Sequence, residues 1–371
     1  MNAIVFGTNH NNTLGLIRSL GQTGHKVVLM LRAQKINYVD KSKYVSKTVY
    51  LDKTSNMIGA ITSVARGMKE KPVLFAAGDD EATLIDMHFE ELSLYVIPEG
   101  GFHNNDINKY RNKAISNKLA VEIGFNLPRT WVMSSTDDLT DDVLFPAFIK
   151  ANNSIHGGKK VQGICHNRQE LLSRLLSLPS EYFPIQVQEF VKKDYEVMLQ
   201  GCSMNHGKHI VCEVANRKIR FYPNEYSAGS YSYSVQVEGN TELVKLRELL
   251  SQYLKRIGYS GLFSAEFLYG NGEFYFLEIN LRNDGTAYLS TSCGYNLPDI
   301  YCRYLDGQLL ERCAYVQQFY MNAIADFHHV CKRHLALFTW LKQFNATHCF
   351  SHFNKTDVKP YIFYILSKFS K

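Results

Sequence analysis

Glu266, Glu278, Asn280 and Arg282 are the residues whose types and spacing suggest chemistry, the last three at alternate positions. In a β-strand alternate side chains share a face, so Glu278, Asn280 and Arg282 are expected to point together. Two carboxylates and an amide oxygen are hard donors, and their natural partner is a divalent cation such as magnesium, shared with phosphate oxygens. The guanidinium of Arg282 would hold a second anion, because its fork matches phosphate or carboxylate geometry. The competing reading is a hairpin whose polar face is simply solvated.

The stretch that positions these residues, 264–285, reads as that hairpin. Aromatic-rich alternating runs, FSAEFLY and EFYFLE, flank Gly270-Asn271-Gly272, a strong turn signal. The helical pattern at 241–258, apolar at 243, 246, 249, 250, 254 and 257, delivers the chain to it. At the N-terminus, an apolar run (2–7), a polar turn, helical spacing through Leu14, Leu16, Ile17 and Leu20, and the strand KVVLML form a βαβ opening. A parallel sheet is expected there. The turn GTNHNNTLG lacks the G-x-G-x-x-G spacing, which excludes a dinucleotide fingerprint. Asp79, Asp80 and Glu81 open a helix, where acidic residues favour the positive end of its dipole.

A pattern break near residues 98–101 marks the first domain boundary. A helix is expected from about 106 to 123, stopped by Gly124 and followed by Pro128. The segment FPAFIKANNSIHGGKKVQGIC carries a strand ending in Lys150, then a small-residue loop with Gly157, Gly158 and Lys159. Exposed N–H groups and flanking lysines suit phosphate. It is not a Walker A loop, which would end in GK[ST] before a helix. Glu189, Phe190 and Val191 end the strand PIQVQEFV, where a strand-end acceptor suits an adenine edge, and Glu196, seven residues on, suits ribose hydroxyls; the local alternative is two ordinary strand glutamates. Arg217, Lys218 and Arg220 cluster before Gly229-Ser230, a basic patch fit for an anionic substrate or simply a solvated edge.

Bulk properties narrow the class. The 371 residues suit two or three domains, and 45% hydrophobic with 20% charged is globular. There is no signal-peptide pattern and no apolar run of membrane-spanning length, so a cytoplasmic location is expected. Eight cysteines without a CxxC read as reduced thiols. The net charge of +6 is uneven, with eight Lys/Arg against three Asp/Glu from Glu311 onward. A nearly neutral main body argues against nucleic-acid binding.

Residues 1 to about 305 together resemble an ATP-grasp enzyme. Glu266 and Glu278 with Asn280 and Arg282 are similar to the E…E-x-N-x-R signature of the biotin carboxylase and carbamoyl-phosphate synthetase branch. Lys113, eleven residues before Gly124-Phe125-x-x-Pro128, resembles the family's first nucleotide lysine, and Lys150 in Pro146-x-x-x-Lys150 its second. Glu189-Phe190-Val191 and Glu196 resemble the adenine hinge and ribose glutamate. Asn112 stands where Asp is common, and Leu281 where Pro is frequent. The stretch ANRKIRFYPNEYSAGS resembles the R-x-x-P…G region of stand-alone carboxylate–amine ligases such as D-aspartate ligase.

The resemblance implies a Rossmann-like domain (1–100), an ATP-grasp domain (101–310, lid about 128–190) and a basic, aromatic, mostly helical extension (311–371). The fold class implied is α/β and α+β, with a parallel N-terminal domain and an antiparallel-sheet grasp. It further implies ATP with Mg²⁺ (or Mn²⁺) and small-molecule carboxylate and amine substrates, an amino acid or a sugar acid among them. A homodimer is common in such relatives. Glu266, Glu278 and Asn280 would hold metal, and Lys113, Lys150 and the loop 153–160 the phosphates. Arg282, with Arg217 or Arg220, would hold the phosphoryl group or the acid. No biotin or carrier segment and no second grasp copy is present, which disfavours biotin carboxylation and carbamoyl-phosphate synthesis. A nucleotide-binding regulatory subunit without turnover is the other class considered. In the extension, His328, His329, Cys331 and His334 lack paired zinc-ligand spacing and read as ordinary core or surface residues. The tail KPYIFYILSKFSK is read as packing on the protein in preference to a membrane surface.

Overall fold

The computed structural model describes residues 1–52, 56–151, 161–309 and 313–369. They form two compact units: Met1–Asn108, Val197–Ala265 and Ile279–Lys371 make the first, Lys109–Glu196 and Glu266–Glu278 the second.

The N-terminal apolar runs become a parallel sheet. Strands β1 (Asn2–Thr8), β2 (Lys26–Arg32), β3 (Val45–Leu51), β4 (Val73–Ala76) and β5 (Ile97–Pro98) take the order β3-β2-β1-β4-β5, all parallel. Parallel strands covered on both faces must be apolar throughout. Alternation then divides each strand between two cores: Ala3 and Val5 join one cluster with Leu29, while Ile4 and Phe6 join the other with Val28 and Met30.

The second unit holds a four-stranded antiparallel sheet of β6 (Thr130–Met133), β7 (Ala147–Ala151), β8 (Gly163–Cys165) and β9 (Ile185–Glu189), ordered β6-β9-β7-β8. Its core joins Ile149, Val187 and Leu171. The helix expected from about 106 begins only at Lys113. Asn112 is the reason: its side-chain oxygen accepts from the N–H groups of Ala114 and Ile115, a capping role that asparagine fills better than a helix interior. Gly124, at φ 105°, ends the same helix as expected.

The third sheet comprises β10 (Tyr195–Met204), β11 (His209–Tyr222), β12 (Ala228–Gln236), β13 (Gly261–Gly270), β14 (Glu273–Asn280), β15 (Phe319–Met321) and β16 (Cys349–Phe350). Their order is β14-β13-β10-β11-β12-β15-β16, and the chain passes between the units along β10, β13 and β14. Asn271 and Gly272 sit at φ 54° and 82°, the left-handed pair that a tight hairpin turn requires. The extension is not only helical. Besides the helices Ala323–Cys331, Leu337–Ala346 and Lys359–Phe369, β15 pairs antiparallel with β12 and parallel with β16. Among the described residues no helix is long and apolar enough to cross a membrane.

A buried ion pair joins the extension to the N-terminal sheet. Arg18, wholly buried in the helix Asn11–Gln22, donates from Nε to Asp357 at 3.0 Å and from Nη2 to the His352 carbonyl at 2.8 Å. Asp357 also accepts from the Ser42 hydroxyl at 2.8 Å and the Lys43 N–H at 2.9 Å. Removing one partner of such a pair strands a charge away from water. Asp357→Ala should therefore cost about 3–5 kcal/mol in urea unfolding; a loss below about 1 kcal/mol would mean that the pair is solvent-exposed in solution.

Candidate active site

In the second unit, Lys113 opens its helix and Lys150 sits near the end of β7. The Lys113 ammonium pairs with Glu278 on β14, Nζ to Oε2 at 3.1 Å. Lys150 is 8% exposed, and its ammonium is pushed down from 10.5 to about 7, chiefly by burial and next by Lys113, against a smaller upward pull from Glu278. Two lysines thus act on one another beside a shared carboxylate. That is a surplus of positive charge in a dry place, and a polyanion would relieve it.

Glu189 ends the neighbouring strand β9, Phe190 and Val191 follow it, and Glu196 lies on β10. The Glu189 and Phe190 N–H groups donate to the carbonyls of Arg129 (2.8 Å) and Pro146 (3.1 Å). The Glu189 carboxylate accepts from the Arg129 N–H at 3.4 Å. Val191 is buried, and Glu196 takes the Lys193 ammonium at 2.9 Å. Tyr195 stacks on Tyr269 of β13 at 4.7 Å, and the Asp194 N–H reaches the Tyr269 carbonyl at 2.8 Å. These contacts hold the segment against the hairpin that bears Glu266 and Glu278. Both glutamates are half-buried, and their oxygens are the donor type that magnesium takes. Gly157, Gly158 and Lys159 lie outside the described residues.

In the first unit, Asn280 ends β14 and Arg282 follows it. Arg282 forms a two-pronged pair with Asp79, Nε to Oδ1 at 2.7 Å and Nη2 to Oδ2 at 2.9 Å, and it also donates to Asn280 Oδ1 at 3.3 Å. Asp79 is the first residue of the helix Asp79–Met87, so the acidic triplet does lie at a helix start. It also binds arginines: Glu81, buried, pairs with Arg32 Nε at 3.1 Å, and burial raises the Glu81 pKa. The loop after Arg282 is fixed to the N-terminal turn. Asn12 donates to the carbonyls of Ala77 and Asn283, each at 2.8 Å, and accepts from the Asn283 amide; Asn11 donates to the Gly285 carbonyl at 2.9 Å.

The basic stretch of β11 departs from simple alternation. Its pairing with β12 skips Ile219, so Lys218 faces Ser232 while Arg220 faces Tyr231. This bulge puts Arg220 on the face of Arg217, opposite Lys218. Arg217 then lies over Tyr233 at 5.9 Å and Arg220 over Tyr231 at 4.3 Å. Arg220 is also bound at both ends by Asp326 of the extension, at 2.9 and 2.7 Å. The Ser230 hydroxyl and Trp340 indole complete that buried carboxylate at 2.8 and 3.1 Å. Arg220 thus enters any anion site with its charge already matched.

Sequence reasoning missed Asp326, which lies 106 residues from Arg220 with no local signal. It also missed Gln200, a glutamine inside the apolar run of β10, whose composition was itself the clue. Gln200 donates to Thr286 Oγ1 at 2.8 Å and Asp284 Oδ1 at 3.3 Å, and Asn216 donates to the same Thr286 hydroxyl at 3.0 Å. In the extension, His329 Nε2 bonds the Phe221 carbonyl at 2.9 Å and Cys331 is exposed. No three His, Cys, Asp or Glu side chains converge on a metal-sized site among the described residues.

Residues 208–327 match the family model described as "ATP-grasp in the biosynthetic pathway with Ter operon". The carbamoyl phosphate synthase large chain of Gemmatimonas aurantiaca is 23% identical over 215 residues, 54% of this chain but only 18% of that protein. Among solved structures, N5-carboxyaminoimidazole synthetase from Staphylococcus aureus superposes with a TM-score of 0.68 at 14% identity, covering 90% of this chain and 85% of that one. Biotin carboxylase from Campylobacter jejuni gives 0.67 at 14%, covering 85% and 74%. L-amino acid ligase from Bacillus licheniformis gives 0.66 at 12%, covering 86% and 78%.

The depressed Lys150 has a measurable signature in the protein alone. Its folded value of about 7 lies below the ordinary 10.5, so between these the unfolded chain holds more protons and stability rises with pH. The burial penalty is absent above the unfolded value and complete below about 7. In urea unfolding, the stability of native protein relative to Lys150→Met should climb from pH 7 towards pH 10; a flat difference would refute the shift.

Proposed function

We propose that the chain is an ATP-grasp enzyme, an ATP-dependent carboxylate–amine ligase. A carboxylate oxygen of the acid attacks the γ-phosphorus of ATP, the bond to the β–γ bridging oxygen breaks, and ADP leaves. The amine nitrogen then attacks the acylphosphate carbon, phosphate departs, the amine gives up a proton, and an amide remains. The observation that carries this reading is the Lys113–Glu278–Lys150 cluster, with Lys113 and Glu278 at 3.1 Å and Lys150 buried and depressed beside them.

Phosphoryl transfer asks a protein chiefly for position and charge. In our reading Lys113 and Lys150 hold the phosphates, with Gly157, Gly158 and Lys159 contributing backbone and charge. Glu189, Phe190 and Val191 receive the adenine, and Glu196 the ribose. Glu266, Glu278 and Asn280 would hold one or two Mg²⁺ ions, for which Mn²⁺ can substitute. When bound, these would neutralise charge on the phosphate oxygens. Arg282 and Arg217 orient the acid and the moving phosphoryl group. Arg220, matched by Asp326, supports that face of β11. The acid is a small molecule, an amino acid or a sugar acid, and we assign the reaction to the cytoplasm, where the eight free cysteines would stay reduced.

ADP release from MgATP, measured against pools of acids and amines, should require one of each. It should fall about 100-fold or more in Glu278→Gln, the scale of losing one electrostatic contact to a transferring group. Release with an acid alone would indicate a carboxylate kinase instead. MgATP binding at pH 8 should also take up protons, because phosphates restore the Lys150 charge. Calorimetry in two buffers of different ionisation enthalpy should then give different heats, and equal heats would remove Lys150 from the phosphate site.

A further inference from the structure

A second cavity, of about 290 Å³, lies wholly within the first unit, away from Lys113 and Lys150 in the chain's division. Asn9 lines it just after β1, Asn11 from the start of the helix Asn11–Gln22, Gln34 just after β2, and His352, Ser367 and Lys368 from the extension. No carboxylate is among its lining residues. Its size is at the low end for ligand sites, suited to a compact polar group.

His352 is the reason to regard it as more than a surface dent. The ring is 7% exposed, stacks on Tyr364 at 3.7 Å, and meets the edge of Tyr38 at 5.5 Å. Nδ1 lies 2.7 Å from the Ser351 hydroxyl, while Nε2 has no hydrogen-bond partner among the described residues. When the Ser351 hydroxyl donates to Nδ1, the neutral ring carries its proton on Nε2, and the ring is part of the cavity lining. The surroundings are positive. Burial, then His10, Arg18 and Lys368, push the His352 pKa down to about 3. Of these, Arg18 is matched by Asp357, and the other groups facing the ring are the tyrosines Tyr38 and Tyr364. The helix Asn11–Gln22 starts here, adding the positive end of its dipole. The asparagines are held rigid: Asn9 donates to the Ile36 carbonyl at 3.0 Å and accepts from the Tyr38 N–H at 2.8 Å.

We propose that this cavity binds the oxyanion of a small molecule, a carboxylate or a phosphate, independently of the nucleotide residues. His352 Nε2 and Lys368 donate to the oxyanion, the Gln34 amide contacts the remainder of the ligand, and the extension thereby completes a site that the N-terminal sheet begins.

The test is calorimetric titration of the full chain with inorganic phosphate and, separately, with D-glucuronate. It uses native protein, Lys368→Gln, His352→Gln and Lys150→Met. Lys368 is exposed, so its replacement keeps the test valid even if His352→Gln unfolds. Saturable binding of either probe that weakens about tenfold in Lys368→Gln, the worth of one charge-assisted hydrogen bond, and is unchanged in Lys150→Met supports the site. The probe that binds identifies the source as phosphate or acid. Binding lost in Lys150→Met but kept in Lys368→Gln would assign the anion to the nucleotide residues and overturn the proposal. No saturation below about 50 mM, weaker than a millimolar site, would overturn it as well.

Discussion

Taking an ammonium group out of water costs more than one hydrogen bond returns, and Lys150 is held under that constraint. Its strand, β7, lies between β9 and β8, and the side chain is buried. Lys113 is close enough to depress it further, and Glu278 is shared between them. The surplus of positive charge is thus built into the fold. Protein interiors make each charge count for more than it would in water, which is how a site becomes selective for a polyanion without a dedicated nucleophile.

The first unit handles its arginines in the opposite way. Arg18, Arg220 and Arg282 are each given a carboxylate: Asp357, Asp326 and Asp79. Two of those carboxylates belong to the extension, which makes the last sixty or so residues part of the unit's framework and not an appendage. The physical logic is that a buried guanidinium needs a counter-charge beside it. Around His352 the charged neighbours are instead basic, His10 and Lys368 among them.

Much of the architecture was legible. The parallel N-terminal sheet follows from continuous apolar runs, and the hairpin from Gly-Asn-Gly between aromatic strands. The helix end at Gly124 follows from glycine's freedom at positive φ. Lys113 was singled out only through resemblance, because nothing local distinguished it from Lys109, Arg111 or Lys118, and its pairing with Glu278 had no signal in the sequence. Asn112 was readable as a departure from the family pattern, yet its effect on the helix start depended on a side-chain hydrogen bond. The strands β15 and β16 were hidden because they are three and two residues long, too short for alternation to register.

The sequence by itself determined the periodicities, the turn chemistry and the order of the charged residues, since these depend on neighbours a few positions apart. Which charge meets which was decided only by tertiary structure. Skipping Ile219 in the β11–β12 register reversed the face of Arg220, and Asp326 came to it from 106 residues away. Electrostatic and hydrogen-bond partners are chosen by distance in space, and a one-residue bulge or a returning helix changes that distance without leaving a mark in the local pattern.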